Sequence, residues 1–188
     1  MTNAVCRETC SGESGLLSDL QAAVNTIPVD GGKFLIREAL VTGSKALHAA
    51  RPFEGGEILS AIGMREQVQS PNYLSVQFGE FEHGMLHPVH LQYINHSCSP
   101  NVFFDVKAMH LRALRTIGQD EELSFFYPST EWNMNQPFHC HCHSPSCLGH
   151  IQGAAYLPES ILIQYELSEH IKDLMQRART AARCSAVA

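Results

Sequence analysis

Asn95-His96-Ser97-Cys98 puts an amide, an imidazole, a hydroxyl and a thiol on four consecutive residues, flanked by Tyr93-Ile94 and Ser99-Pro100-Asn101. No other stretch limits the fold as strongly. Each buried polar group needs a hydrogen-bond partner, and four in a row have few uses in a passive apolar core. Two further dense stretches follow. One is Glu121-Glu122-Leu123-Ser124-Phe125-Phe126-Tyr127. The other is Cys140-His141-Cys142-His143-Ser144-Pro145-Ser146-Cys147-Leu148-Gly149, with three thiols within eight residues.

The thiol cluster points to a metal. Soft thiolates select zinc, and a structural zinc site takes four ligands in a tetrahedron. The local spacing supplies three, Cys140, Cys142 and Cys147. The fourth comes from elsewhere, or from His139, His141 or His143; free thiols are the remaining alternative. Seven cysteines, an odd number with three of them clustered, favour metal ligation over a disulfide framework. Cys6 and Cys10 read as isolated terminal thiols, and the sequence assigns no role to Cys184.

Composition excludes several classes. The 188 residues suit one domain with modest extensions, and 44% hydrophobic against 17% charged residues is a folded composition. A net charge of -6 argues against non-specific nucleic-acid binding and is compatible with a cationic substrate. No apolar run approaches the roughly 18 residues of a membrane span. The first residues, Met1-Thr2-Asn3-Ala4-Val5-Cys6-Arg7-Glu8, carry an acid and lack the apolar core of a secretory signal. The expectation is an intracellular protein, cytoplasmic or nuclear.

Read in order, Leu16, Leu17, Leu20 and Val24 fall at helical spacing over Gly15 to Asn25, with Pro28, Gly31 and Gly32 as the stop. Phe34 to Val41 reads as a strand. Gly56-Glu57 reads as a turn carrying the chain from one hairpin strand into the next. Tyr73 to Phe78 reads as another strand, and Val102–Val106 with Met109–Arg115 as an antiparallel hairpin. His83, His87 and His90 match no recurrent zinc spacing and read as surface or capping residues. From Pro158 on a helix is expected, with an apolar stripe of Leu167, Ile171, Leu174, Met175 and Ala178 that packs back on the domain or supports a dimer.

In this order and at these separations, the three dense stretches over residues 33 to 153 resemble the SET-domain family of S-adenosylmethionine-dependent lysine methyltransferases. The Asn-His-Ser-Cys-x-Pro-Asn run at Asn95–Asn101 is the family's most specific signature. The Cys-x-Cys-x4-Cys-x-Gly run resembles its zinc-binding post-SET tail. The resemblance implies a mostly β, α+β fold: the SET β-clip of short curved sheets with pseudoknot threading, plus terminal helices. It divides the chain into an N-terminal flank (1–32), a SET domain (33–137), a post-SET zinc loop (138–153) and a C-terminal helix (154–188).

The resemblance also implies roles. Cys98 would be the fourth zinc ligand. Asn95 and His96 would hold the adenosine end of S-adenosylmethionine. Ser44, Lys45 and Ala46 stand where the family has Gly-x-Gly against the methionine end; alternatively Gly43 takes that role by one register. Tyr127 matches the catalytic Tyr, and Phe126 replaces an Asp that usually precedes it. Phe125 matches the position that tunes methylation number. Asp120 stands at a turn position where the family has Gly. Tyr73 and Phe81 are candidates for lining the substrate cleft, and Trp132 and Phe138 for part of the channel or adenine platform, with ordinary core packing as the alternative for all four; Ile151 would cover the adenine. The activity implied is methyl transfer to an amine, a protein lysine first of all. The alternatives are a SET-like enzyme for a small-molecule amine or amino acid, and a catalytically lapsed SET module that binds a partner.

Overall fold

Alternation sets the first sheet. In Phe34-Leu35-Ile36 the first and third side chains are buried and the second is not, the period-2 pattern of a strand with one face on a core. The structure, a computed structural model, describes residues 24–185. Strands β1 (Val24–Val29), β2 (Phe34–Ala39) and β3 (Lys45–Ala49) form an antiparallel sheet in that order. Gly43, at φ +68°, makes the tight turn between β2 and β3. β4 (Ile58–Ala61) starts a second sheet. β5 (Gly63–Val68), β6 (Ser75–Gly79) and β7 (Glu82–His87) form a third, ordered β5-β7-β6. β8 (Asn95–His96) is short. β9 (Val102–Asp105) and β10 (His110–Ala113) form the expected hairpin and complete the second sheet as β4-β10-β9.

The dense stretches meet through threading. β11 (Ser124–Phe125) pairs in parallel with β8. A parallel pair needs a long return between its strands, and the β9–β10 hairpin lies in it. The segment leading into β11 is bonded on its other side to β3, with Ala49 N to Glu121 O at 2.9 Å and Leu123 N to Leu47 O at 2.8 Å. Residues 121–125 are therefore held between β3 and the Asn95–Asn101 run. Asn101 locks the junction. Its amide donates to Glu121 Oε1 at 3.0 Å and Glu122 O at 2.8 Å, and its carbonyl accepts from Ser124 N at 2.8 Å. Phe34, Leu47, Phe53, Phe104, Leu111 and Leu123 are fully buried in the main core around this crossing.

A second core lies beyond Tyr127. β12 (Phe138–His139) and β13 (His150–Ile151) bracket the thiol loop. Helices α1 (Glu159–Leu162) and α2 (Glu169–Ser185) follow. Phe126, Ala154, Leu162, Leu167 and Ile171 are buried together, with Trp132, Tyr165 and Met175 packed against them. The Phe126 ring stacks on Tyr165 at 3.7 Å, which explains the replaced Asp: the C-terminal segment offers an apolar nest there. Gly153 closes this region at φ +118°, where an added Cβ would lie 2.6 Å from Trp132 O. Gly153→Ala is expected to destabilise the fold by about 2–4 kcal/mol, from glycine-only backbone plus a backbone clash. A thermal melt within a degree of wild type would show that the loop gives way instead.

Several expectations change. Of the N-terminal helix, all but Val24 and Asn25 lies outside the described residues, and these two begin β1. β1 pairs along its whole length with β2, so the sheet crosses the division expected at 32/33. β3 and β4 are not a hairpin. The Gly55-Gly56 turn bonds forward, Gly56 N to Ala113 O at 2.9 Å, so β4 pairs with β10 and β3 with β2. The strand expected from Tyr73 starts at Ser75, because Asn72 caps a turn there by accepting from Leu74 N at 2.9 Å. The helix expected from Pro158 is two helices. Of its stripe, Leu167 and Ile171 are buried and Ala178 is exposed. Asp120 does take the turn conformation, at φ +66°.

Candidate active site and thiol centre

The threading brings Asn95-His96 beside Phe125-Phe126-Tyr127 at the wall of a cleft of about 860 Å³. Tyr127 opens a 3-10 turn (Tyr127–Ser129). Its backbone N–H donates to His96 Nδ1 at 3.2 Å, and its hydroxyl points to Ile94 O at 3.4 Å. Burial, then the carboxylates of Glu122 and Glu131, push the phenol up to about 12. Tyr127 therefore stays protonated near neutrality and acts as a hydroxyl donor rather than a base. Phe125 lies 4.6 Å from the Tyr127 ring and edge-on to Phe104 at 4.7 Å.

His96 is a connector. Because Nδ1 accepts from Tyr127 N, the ring proton sits on Nε2, which faces Cys98 Sγ at 3.3 Å. Burial brings the imidazole down to about 4, so it is neutral. Asn95 donates to Glu122 Oε1 at 2.8 Å and to Lys45 O at 3.3 Å, tying the β3 start to the signature run.

Ser44, Tyr73, Asn95, His96, Phe125, Tyr127 and Phe138 line the cleft. Tyr73 stands at its rim, 72% exposed. Lys45 reaches the site through its carbonyl, while its ammonium sits over the Tyr93 ring at 5.4 Å. Ala46 is one step further along β3, paired with Arg37, and is not among the lining residues. Ile151 is fully buried beside Phe138 in the β12–β13 pair. Trp132 packs in the second core and does not line the cleft; its backbone N–H donates to Gln77 Oε1 at 2.9 Å. Phe81 is 88% exposed and also lies off the cleft. Sequence reasoning missed Glu131, a buried carboxylate on the cleft wall. Its one signal was its place a single turn beyond Tyr127, with Glu131 N bonded to Tyr127 O at 3.0 Å.

The sulfurs of Cys98, Cys140, Cys142 and Cys147 all lie within 4.8 Å of one another, and among the described residues no histidine completes the set. Four sulfurs at about 2.3 Å from a tetrahedral zinc would be about 3.8 Å apart; Cys98 Sγ and Cys140 Sγ are 4.0 Å apart. The donor set and spacing thus fit zinc. Leu148 N–H points at Cys98 Sγ at 3.4 Å, an outer-shell donor of the kind that supports a thiolate. Burial raises the Cys98 thiol, the cost that a bound cation would offset.

Residues 19–128 match the SET domain family model. The chain is 42% identical over 122 residues to methyltransferase flvH of Aspergillus flavus, across 64% of this chain and 68% of that protein. It is 31% identical over 101 residues to an H3 lysine-36 specific histone-lysine N-methyltransferase of Saccharomyces cerevisiae, across 47% of this chain and 14% of that one. The methyltransferase domain of human SETMAR superposes with a TM-score of 0.43 at 16% identity, covering 58% of this chain and 54% of that one.

Proposed function

The chain belongs to the SET domain family of S-adenosylmethionine-dependent methyltransferases, and on that premise we propose that it methylates an amine, a protein lysine side chain first of all. The observation that carries this reading is the meeting of the Tyr127 hydroxyl, the Ile94 carbonyl and the Phe125 ring on a cleft walled by Asn95-His96. S-adenosylmethionine, when bound, supplies a methyl group activated on a sulfonium. Asn95, His96, the Lys45 backbone and Ser44 are the residues we assign to hold it. An alkylammonium with a pKa of ~10.4 must shed a proton before its nitrogen can attack, and a desolvated cleft lowers that pKa. Tyr127 then orients the amine by its hydroxyl, with no strong base required.

Cys98, Cys140, Cys142 and Cys147 are assigned to one zinc ion that ties the 138–151 segment to the signature run. Sulfurs kept as thiolates suit a reducing, intracellular compartment. Among the described residues, no helix is long and apolar enough to cross a membrane.

Calorimetry with S-adenosylmethionine, then radiolabelled methyl transfer to lysine peptides and to small alkylamines, tests the reading. Absence of cofactor binding would leave a lapsed binding module. Transfer only to small amines would move the substrate to that class.

Phe125 supplies a finer prediction. Its ring borders the cleft beside Tyr127 without a hydroxyl of its own. A methylated amine must rotate to aim its lone pair again, and the missing hydroxyl leaves room for that. Wild type is expected to add more than one methyl. Phe125→Tyr should shift products toward monomethyl, with first-methyl turnover falling much less, since one group in a tight pocket is worth ~1–3 kcal/mol. Identical product ladders by mass spectrometry would take Phe125 off the channel.

A further inference from the structure

Glu131 is the buried charge that the proposed chemistry leaves unused. It follows the Tyr127–Ser129 turn and lines the same cleft as Tyr127, with 12% of its side chain open. One oxygen is committed: Oε1 accepts from Gln77 N at 2.7 Å. The other, Oε2, has His83 Nε2 at 3.7 Å, beyond hydrogen-bond length, and that nitrogen has no hydrogen-bond partner. Among the described residues no Lys or Arg pairs with Glu131. The titratable groups around it are His83 from β7 and Tyr127 from its own turn, with His170 from α2 behind them, acting on His83 and bonded to Thr130 O at 2.8 Å. Burial lowers both histidines, His83 with help from His170, and raises Tyr127, so all three are neutral near pH 7. The second carboxylate on the cleft, Glu122, is already held by the Asn95 amide at 2.8 Å.

A desolvated carboxylate with hydrogen bonds but no counter-ion is costly to keep charged, and a cation delivered to it recovers that cost. We propose that Glu131 is the cation-recognition residue of the cleft, its Oε2 pairing with the ammonium group of the substrate amine next to Tyr127. The inference rests on the reading of the substrate as an amine and adds the residue that selects it. Burial pushes the Glu131 carboxyl up to about 7, against the pull of Gln77 N–H and Thr130. The pairing is therefore present above about pH 7 and is lost as the carboxyl protonates below it, while the alkylammonium stays charged up to ~10.4.

The probe is n-pentylammonium, a lysine side chain without its backbone, against n-pentanol of the same length. Binding is read by calorimetry with S-adenosylhomocysteine present. Wild type should bind the cation about tenfold or more tightly than the alcohol, as a hydrogen bond to a charged group allows, and lose that margin between about pH 8 and pH 6. Glu131→Gln keeps an acceptor for Gln77 N but not the charge. It should bind the two probes alike at every pH, with S-adenosylhomocysteine affinity unchanged. Glu131→Asp should keep part of the preference. Equal preference for the cation in wild type and Glu131→Gln overturns the role of Glu131 while leaving the amine reading intact. Wild type that binds no pentylammonium overturns both. Should Glu131→Gln fail to fold, a cation preference in wild type that is flat with pH overturns the assignment by itself.

Discussion

Tyr127→Phe is expected to lower turnover by ~10²–10³ while leaving the fold and most cofactor affinity in place. Loss of one positioned donor at a reacting centre typically costs that much. The fold should hold because the hydroxyl contributes little to it: its hydrogen bond among the described residues is the long one to Ile94 O at 3.4 Å. The ring contacts to Phe125, Phe138 and His96 do not involve the oxygen, nor does the backbone bond to His96 Nδ1. The phenol, held protonated by burial and by Glu122 and Glu131, is suited to orient an amine lone pair and unsuited to take its proton. Loss should therefore fall on kcat more than on cofactor binding. Steady-state kinetics beside calorimetry separates the two. Near-normal turnover would remove Tyr127 from the chemistry.

What the sequence disclosed was local and chemical. Three thiols in eight residues point to a metal from spacing alone. The signature run announces a shared site because its polar side chains need partners, and they find them in β11, Glu122 and the thiol loop. What stayed hidden depends on contacts far along the chain. The Gly56-Glu57 turn looked like the middle of a hairpin, yet its backbone bonds run to Ala113, from Gly56 N and to Glu57 O. Trp132 read equally as a channel aromatic or as core, and only the C-terminal segment, which carries Tyr165 and Ile171, decides for the core. Glu131 was invisible for the opposite reason. An acid in a polar stretch reads as solvent-facing, and it is a buried charge only because Gln77 of β6 bonds it and the start of α2 closes on the neighbouring Thr130.

Cys98→Ser should have the widest effect of any single change in the site. The four sulfurs form a closed set, so removing the one on the signature run is expected to take zinc content from one per chain to near zero. Structural zinc in small sites contributes roughly 10–16 kcal/mol of apparent binding free energy, which is folding free energy for the segment that carries the ligands. Residues 138–151 have few substitutes for that tie. They are joined to each other by the two-residue β12–β13 pair and to the signature run by Leu148 N on Cys98 Sγ. That segment should become open to limited proteolysis. The damage should reach Tyr127 as well, because His96 bridges it to Cys98 through Nδ1 and Nε2. Turnover is therefore expected to collapse together with metal content, and chelation of wild type should reproduce the variant. Cys184→Ser, at an exposed thiol on α2, should change neither quantity. Elemental analysis decides the assignment: Cys98→Ser that retains a full zinc complement would hand the fourth position to another ligand and leave His96 as a link between Tyr127 and an ordinary buried thiol.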